Sequence, residues 1–121
     1  MLSKIWRIGK LVWGGGGRSS DLTLTLYFSS KYDVVGLDWT MDPAKARQVV
    51  GQGKSLQGNM DPCVLYADKE TIWRETETML KEFGTNQRLI ANLGHGLHPT
   101  HNPDHVGYFI EAVQTLSAKQ K

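Results

Sequence analysis

The sequence has 121 residues but only one cysteine, four prolines and no long apolar run. Because Cys63 has no second cysteine to pair with, an internal disulfide bond is excluded, and the chain fits a reducing compartment. No apolar stretch approaches the ~18 residues that a membrane-spanning helix requires. We therefore expect a globular protein that does not enter a membrane.

Acidic side chains are missing from the first 20 residues, which carry four basic ones. Residues 21–121 hold ten basic and twelve acidic side chains, a net charge of −2, so nothing there favours nucleic acid or an anionic surface. We expect residues 1–31 to be a divergent, poorly ordered N-terminal segment, with a targeting sequence as the alternative. Within it, Gly14–Gly17 is typical of a flexible linker, and the alternation in Asp21–Phe28 is typical of a half-buried strand.

Three short apolar runs, near residues 34–39, 55–60 and 89–93, each stop in a polar cluster. A helical pattern follows every run, which predicts parallel strands joined by helical crossovers. Parallel α/β enzymes carry their catalytic and binding residues at the carboxyl ends of the strands. The polar clusters are therefore the candidate functional positions.

The three helices have clear start and stop signals. Asp42, Asp68 and Asn102 are predicted as N-caps, because each precedes a helical pattern and can accept hydrogen bonds from its first amides. Gly51 and Gly84 are predicted to end the first two helices. Three such units would leave two open sheet edges and an uncovered inner face, so we expect part of a larger barrel; a small independent α/β domain is the alternative.

The segments Val34–Thr40, Leu56–Pro62 and Ala91–Leu97 together resemble the carboxyl-terminal end of the uroporphyrinogen decarboxylase family. The resemblance covers residues 32–121 and implies strands six to eight of a (β/α)8 TIM barrel. It also implies a cytoplasmic homodimeric enzyme of heme biosynthesis, which removes carbon dioxide from the acetate side chains of uroporphyrinogen and yields coproporphyrinogen. The family uses neither a metal nor an organic cofactor.

The resemblance implies that His95, in the Gly-His-Gly motif, binds substrate in the cleft. The residues agree, because flanking glycines allow close approach and imidazole can donate a hydrogen bond to a carboxylate. The alternative is that His95 only satisfies a loop carbonyl. The resemblance also implies substrate-binding groups on earlier strands, namely an arginine-rich segment, an aspartate, and tyrosine and serine contacts. None of these has a match in this chain. We therefore expect no turnover by this chain alone; the alternative is a non-catalytic truncated isoform or gene-model remnant that associates with full-length subunits.

Four histidines are close in sequence and could be read as metal ligands: His95, His98, His101 and His105. Pro99 and Pro103 break any continuous helix through them, so we interpret them as loop residues and expect no metal site. A zinc methyltransferase of the same superfamily is disfavoured as well, because Cys63 follows a different strand from the histidines.

Four further polar residues lie at the strand ends. Asp38 and Asp61 could form an acid/base pair, but we interpret both as structural, since Asp61 precedes a proline in a turn and Asp38 can accept from the following loop. Asn59 and Asn92 are interpreted in the same way. Direct contact with a substrate is the alternative for all four.

Overall fold

The computed structural model describes residues 13–14, 33–84 and 88–119, and they form one parallel sheet with helices between its strands. The strands are β1 (Trp13–Gly14), β2 (Val34–Leu37), β3 (Ser55–Met60) and β4 (Leu89–Leu93). The helices are α1 (Pro43–Val50), α2 (Lys69–Phe83) and α3 (Pro103–Lys119), and a 3₁₀ helix (Pro62–Tyr66) lies between β3 and α2. No helix among these residues is long and apolar enough to cross a membrane.

The strands lie in the order in which they occur in the chain, β1-β2-β3-β4, and every neighbouring pair is parallel. Right-handed crossovers that always advance in one direction put all their helices on the same face of the sheet. A doubly wound sheet would instead reverse its strand order and carry helices on both faces. The prediction of an α/β fold built as part of a (β/α)8 barrel is confirmed.

The helix ends follow the sequence signals. The Asp42 carboxylate accepts from the Ala44 amide at 2.9 Å, and the Asp68 carboxylate accepts from the Thr71 amide at 2.9 Å. The hydrogen bond from the Thr71 side chain, followed by this one from its amide, is the main reason that the pKa of Asp68 is lowered. Asn102 accepts from the Asp104 amide at 2.9 Å, as an N-cap would.

The two helix-ending glycines adopt backbone angles that other residues rarely take. Gly51 has a φ of 77° and Gly84 a φ of 83°, and each amide bonds back to the preceding turn. The predicted ends of α1 and α2 are therefore confirmed.

The core lies between the helices and one face of the sheet. Its fully buried side chains include Leu37, Leu56, Leu65, Ile72 and Val50. Alternation along the strands assigns Val35, Leu37, Leu56, Met60 and Leu93 to this face. Burial of these residues, each contributing roughly 1.5–3 kcal/mol when fully removed from water, is the main stabilising term.

The opposite face of the sheet is covered in part, since Asn59 is buried there at the end of β3, but it is exposed along β4. In-register partners share a face, and Gly36, Gln57 and Ile90 form one such row across β2, β3 and β4. The Ile90 side chain is 41% exposed and Asn92, two residues later, is exposed too. We call this surface the open face; it corresponds to the inner face that a barrel would enclose.

A guanidinium group joins three segments at the amino-terminal end of the sheet. Arg47 of α1 donates to the carbonyls of Gly51 at 3.1 Å, Lys54 at 2.7 Å and Arg88 at 3.2 Å. Partial burial, with a smaller contribution from Arg88, lowers the pKa of Arg47. This bridge ties the end of α1 to the starts of β3 and β4.

One expectation about the N-terminal segment is corrected. Gly14, which the sequence predicted as linker, lies in β1 and pairs in parallel with Leu37. A parallel partner strand supplies hydrogen bonds that outweigh the flexibility of glycine at this position. The strand predicted for Asp21–Phe28 and the last three glycines of the linker lie outside the described residues.

Candidate functional site

The polar clusters at the ends of β2, β3 and β4 meet at one edge, as parallel pairing requires. The amide of Gly94 donates to the Met60 carbonyl at 2.8 Å, which continues the β3–β4 ladder by one residue. Beyond this bond the chain leaves the sheet as a loop, residues 94–102, that leads to α3. We call it the histidine loop, since it contains His95, His98 and His101.

Asn59 fixes the loop after β2 against the end of β3. Its side chain is 7% exposed, and its amide nitrogen donates to the carbonyls of Asp38 at 3.1 Å and Met41 at 2.6 Å. These bonds join positions 18 and 21 residues apart in the chain. These bonds agree with the structural interpretation of Asn59.

Each of the two aspartates accepts a hydrogen bond from an amide of its own loop. The Asp38 carboxylate accepts from the Thr40 amide at 2.8 Å, and the Asp61 carboxylate accepts from the Cys63 amide at 2.9 Å at the start of the 3₁₀ helix. Both contacts agree with the predicted turn roles. The charge of Asp61 is also the main cause of the raised pKa of the Cys63 thiol, which is exposed. Asn92 accepts from the adjacent Leu93 amide at 2.8 Å.

Gly94 is required by close packing between two strand ends. A Cβ atom built at this position would lie 2.7 Å from the Cα atom of Trp39, closer than real contacts allow. A Cβ atom at Gly96, by contrast, would meet nothing within 4 Å. The two glycines that flank His95 thus differ. Packing against Trp39 leaves no room for a side chain at Gly94, whereas there is open space beside Gly96.

His95 is exposed at this edge. Its Nδ1 atom lies 3.2 Å from the Gly96 carbonyl oxygen of its own loop, and among the described residues nothing bonds to its Nε2 atom. If Nδ1–H donates to that carbonyl, a neutral ring offers Nε2 as an acceptor, and an imidazolium offers Nε2–H as a second donor. The ring therefore has a nitrogen that faces solvent and can contact a ligand.

His101 has a structural role in this loop that the sequence did not reveal. Its ring is 8% exposed, its Nδ1 accepts from the His98 amide at 2.8 Å, and its Nε2 lies 2.9 Å from the Pro62 carbonyl oxygen. A backbone amide can only donate and a carbonyl can only accept, so this ring is the neutral tautomer with its hydrogen on Nε2. The side chain anchors the histidine loop to the 3₁₀ helix after β3.

Other contacts reinforce this anchor. Tyr66 stacks on the His101 ring with a centroid separation of 4.3 Å, and its hydroxyl lies 2.6 Å from Thr100 Oγ1. His105, in the first turn of α3, has its Nδ1 atom 2.6 Å from the Leu65 carbonyl oxygen. The histidine loop is thus attached along its second half, while the part that carries His95 remains exposed.

The four histidines do not share a helical face. Three lie in the loop, and His105 lies in the first turn of α3. The ring centroids are 6.2 Å apart for His95 and His98 and 5.5 Å apart for His98 and His101. The prediction that they are loop residues is confirmed for the first three. Across residues 33–84 and 88–119, no group of three or more His, Cys, Asp or Glu side chains is placed to hold a metal ion.

Comparison with known proteins gives a consistent result. The sequence model of the family described as uroporphyrinogen decarboxylase matches residues 11–116. Proteins named uroporphyrinogen decarboxylase from Dictyostelium discoideum and Ovis aries are 53% identical over 89 residues and 58% identical over 86 residues. One from the bacterium Photorhabdus laumondii is 54% identical over 87 residues.

These matches cover 74%, 71% and 72% of this chain and 24%, 23% and 25% of the respective relatives. The chain therefore spans about a quarter of the length of the curated relatives it matches. The family match begins at residue 11, and so extends into the segment 1–31 where we expected divergence; the domain boundary at residues 31 and 32 stays a prediction.

Proposed function

This chain belongs to the uroporphyrinogen decarboxylase family, and we propose that it supplies the His95 loop to the cleft of a carboxy-lyase that converts uroporphyrinogen to coproporphyrinogen. The observation that supports this proposal is the position of His95. Its ring is exposed at the carboxyl edge of a parallel sheet, where (β/α)8 enzymes bind their substrates. The carboxylates of a tetrapyrrole are suitable ligands for an imidazole there.

The proposed role of His95 is to bind a substrate carboxylate. With Nδ1–H directed to the Gly96 carbonyl, the imidazolium form donates from Nε2 to the carboxylate in a charge-assisted hydrogen bond. Open space at Gly96 leaves room for a flat ring beside the loop. In this role His95 binds and orients the substrate, and other groups must carry the chemical step.

We further propose that the 121-residue chain alone has no turnover. Loss of carbon dioxide leaves an electron pair that must be stabilised by a preorganised field around the reacting group. Arg47 and Arg88 lie at the opposite end of the sheet, and Arg74 is exposed on α2, so no arginine of the described residues stands at the carboxyl edge. One imidazole is not sufficient for this step.

The experiment is to incubate the purified chain anaerobically with uroporphyrinogen and measure coproporphyrinogen chromatographically. We expect no product, and addition of substrate should shift the ring signals of His95 in NMR spectra. A matched control is His98→Ala, which removes another exposed histidine of the same loop and should leave those shifts unchanged, whereas His95→Ala should abolish binding. Product formation by the chain alone, or binding that survives His95→Ala, would contradict the proposal.

The remaining expectations are part of the same proposal. The cytoplasmic location and the homodimer are those that the family resemblance implies, and the lack of basic clusters in residues 21–121 argues against nucleic acid as a partner. A non-catalytic truncated isoform that associates with full-length subunits is the second candidate. A transcript map tests it, since an enzyme locus must also encode the arginine-bearing and aspartate-bearing strands.

A further inference from the structure

The segment 95–97 of the histidine loop is held between two hydrogen bonds. On one side, the Gly94 amide donates to the Met60 carbonyl at 2.8 Å, which ends the β3–β4 ladder. On the other side, the His98 amide donates to Nδ1 of His101 at 2.8 Å. The first bond fixes where the segment begins, and the second fixes where it ends.

Both hydrogen bonds lead to the same end of β3. The His101 ring connects the second one to it, because its Nε2 atom lies 2.9 Å from the Pro62 carbonyl oxygen. Met60 is the last residue of β3, and Pro62 begins the 3₁₀ helix directly after it. The segment 95–97 therefore starts and ends at neighbouring points of the scaffold. Without the His101 ring, only the first of these two attachments would remain.

The His101 ring has no nitrogen left for a ligand. The residue is 8% exposed, its Nδ1 accepts from a backbone amide, and its Nε2 donates to a carbonyl. Tyr66 stacks on the ring with centroids 4.3 Å apart, and its hydroxyl lies 2.6 Å from Thr100 Oγ1, which restricts the orientation of the ring. Any effect of His101 on a ligand must therefore pass through the backbone of the loop.

We propose that His101 is a positioning residue for the binding of a substrate carboxylate by His95. This inference rests on the proposed role of His95 and names the side chain that keeps its ring in one place. Ordering a flexible backbone residue costs free energy, and a loop that is already held leaves less of that cost to be offset when a ligand binds. Release of residues 95–97 should weaken the binding of uroporphyrinogen about tenfold, which corresponds to the ordering of a single residue.

His105 provides a matched control. Its Nδ1 atom lies 2.6 Å from the Leu65 carbonyl oxygen of the same 3₁₀ helix, and its ring stacks on Tyr108 with centroids 5.4 Å apart. His105 thus resembles His101 in residue type, in its acceptor and in its aromatic neighbour. It lies in the first turn of α3, however, so its contact holds the start of that helix and not the segment 95–97.

The first measurement is made without substrate, so it does not depend on the proposed function. NMR relaxation of the amides of residues 95–97 and of the His95 ring reports their order in the purified chain. His101→Ala should lower that order and His105→Ala should leave it unchanged, although both variants lose a contact with the 3₁₀ helix. Unchanged order in His101→Ala, or an equal loss in His105→Ala, would overturn the inference.

Variants that keep one hydrogen bond of the ring separate positioning from stability, and they remain informative if His101→Ala does not fold. His101→Asn keeps an acceptor for the His98 amide, and His101→Gln keeps a donor for the Pro62 carbonyl. Both should recover part of the stability, but only His101→Asn should restore the order of residues 95–97. Restored order in His101→Gln, or its loss in His101→Asn, would contradict the proposed path through the backbone and overturn the inference.

The second measurement is an anaerobic titration with uroporphyrinogen, followed through the ring signals of His95. If the unmodified chain does not bind, the proposed function fails, and the order measured without substrate alone decides whether His101 positions His95. If it binds, His101→Ala should bind about tenfold more weakly and His105→Ala equally well. Equal affinity of His101→Ala and the unmodified chain would overturn the inference while leaving the proposed function intact.

Discussion

Replacing His101 with alanine tests whether this side chain holds the histidine loop in place. The change removes two hydrogen bonds, to the Pro62 carbonyl and from the His98 amide, and the stacking contact with Tyr66. Each hydrogen bond contributes about 1 kcal/mol, and a buried group left without a partner costs roughly 1–3 kcal/mol. With stacking at about 0.5–1.5 kcal/mol, the expected loss in the free energy of unfolding is roughly 3 kcal/mol.

The assay is urea denaturation followed by circular dichroism, together with hydrogen exchange across residues 94–102. We expect the denaturation midpoint to fall and the loop amides to exchange faster, while β2 and α1 keep their protection. His98→Ala is the control, because its ring is exposed and its backbone amide persists; its effect should stay within about 0.5 kcal/mol.

Two conservative variants separate the contributions of the ring nitrogens. His101→Asn keeps an acceptor near the position of Nδ1, and His101→Gln keeps a donor near the position of Nε2, so each should recover part of the lost stability. If His101→Ala unfolds at the same urea concentration as the unmodified chain, the two hydrogen bonds do not anchor the loop, and our account of this side chain is wrong.

Three further results are expected. Gly94→Ala should destabilise by about 3 kcal/mol, because its methyl group would enter the backbone of the loop after β2, whereas Gly96→Ala should change stability little; equal urea midpoints for both would contradict this. Asp61→Asn should accelerate alkylation of Cys63 at neutral pH, because removing the carboxylate charge lowers the thiol pKa toward its ordinary value; an unchanged iodoacetamide rate would exclude that cause. The pKa of Asp68 is lowered by folding, so its contribution is present above its unfolded pKa and lost as pH falls through the folded value; Asp68→Ala should remove that part of the acid sensitivity in pH-dependent urea titrations.

Local signals predicted the elements because each helix carries its own start and stop. Asp42 and Asp68 cap α1 and α2, and Gly51 and Gly84 end them, within a few residues of the pattern that they terminate. The parallel order of the strands followed from the spacing of the apolar runs, which leaves room for a helix in each crossover.

Long-range polar contacts could not be predicted from the sequence. The hydrogen bond from His101 to Pro62 joins residues 39 positions apart, and the bond from Asn59 to Met41 spans 18. No periodicity connects such positions, since their meeting depends on how two loops leave neighbouring strands. The sequence predicted His101 as a loop residue between Pro99 and Pro103, but this prediction does not identify its hydrogen-bond acceptor. His95 was found through its motif and not through any property of its spacing.

The Arg47 bridge at the amino-terminal end of the sheet has a consequence for redesign. It sets the spacing of α1, β3 and β4 through carbonyl groups that lie a full strand length from the exposed histidine. New sequences grafted between residues 95 and 98 should therefore leave the frame that holds them undisturbed.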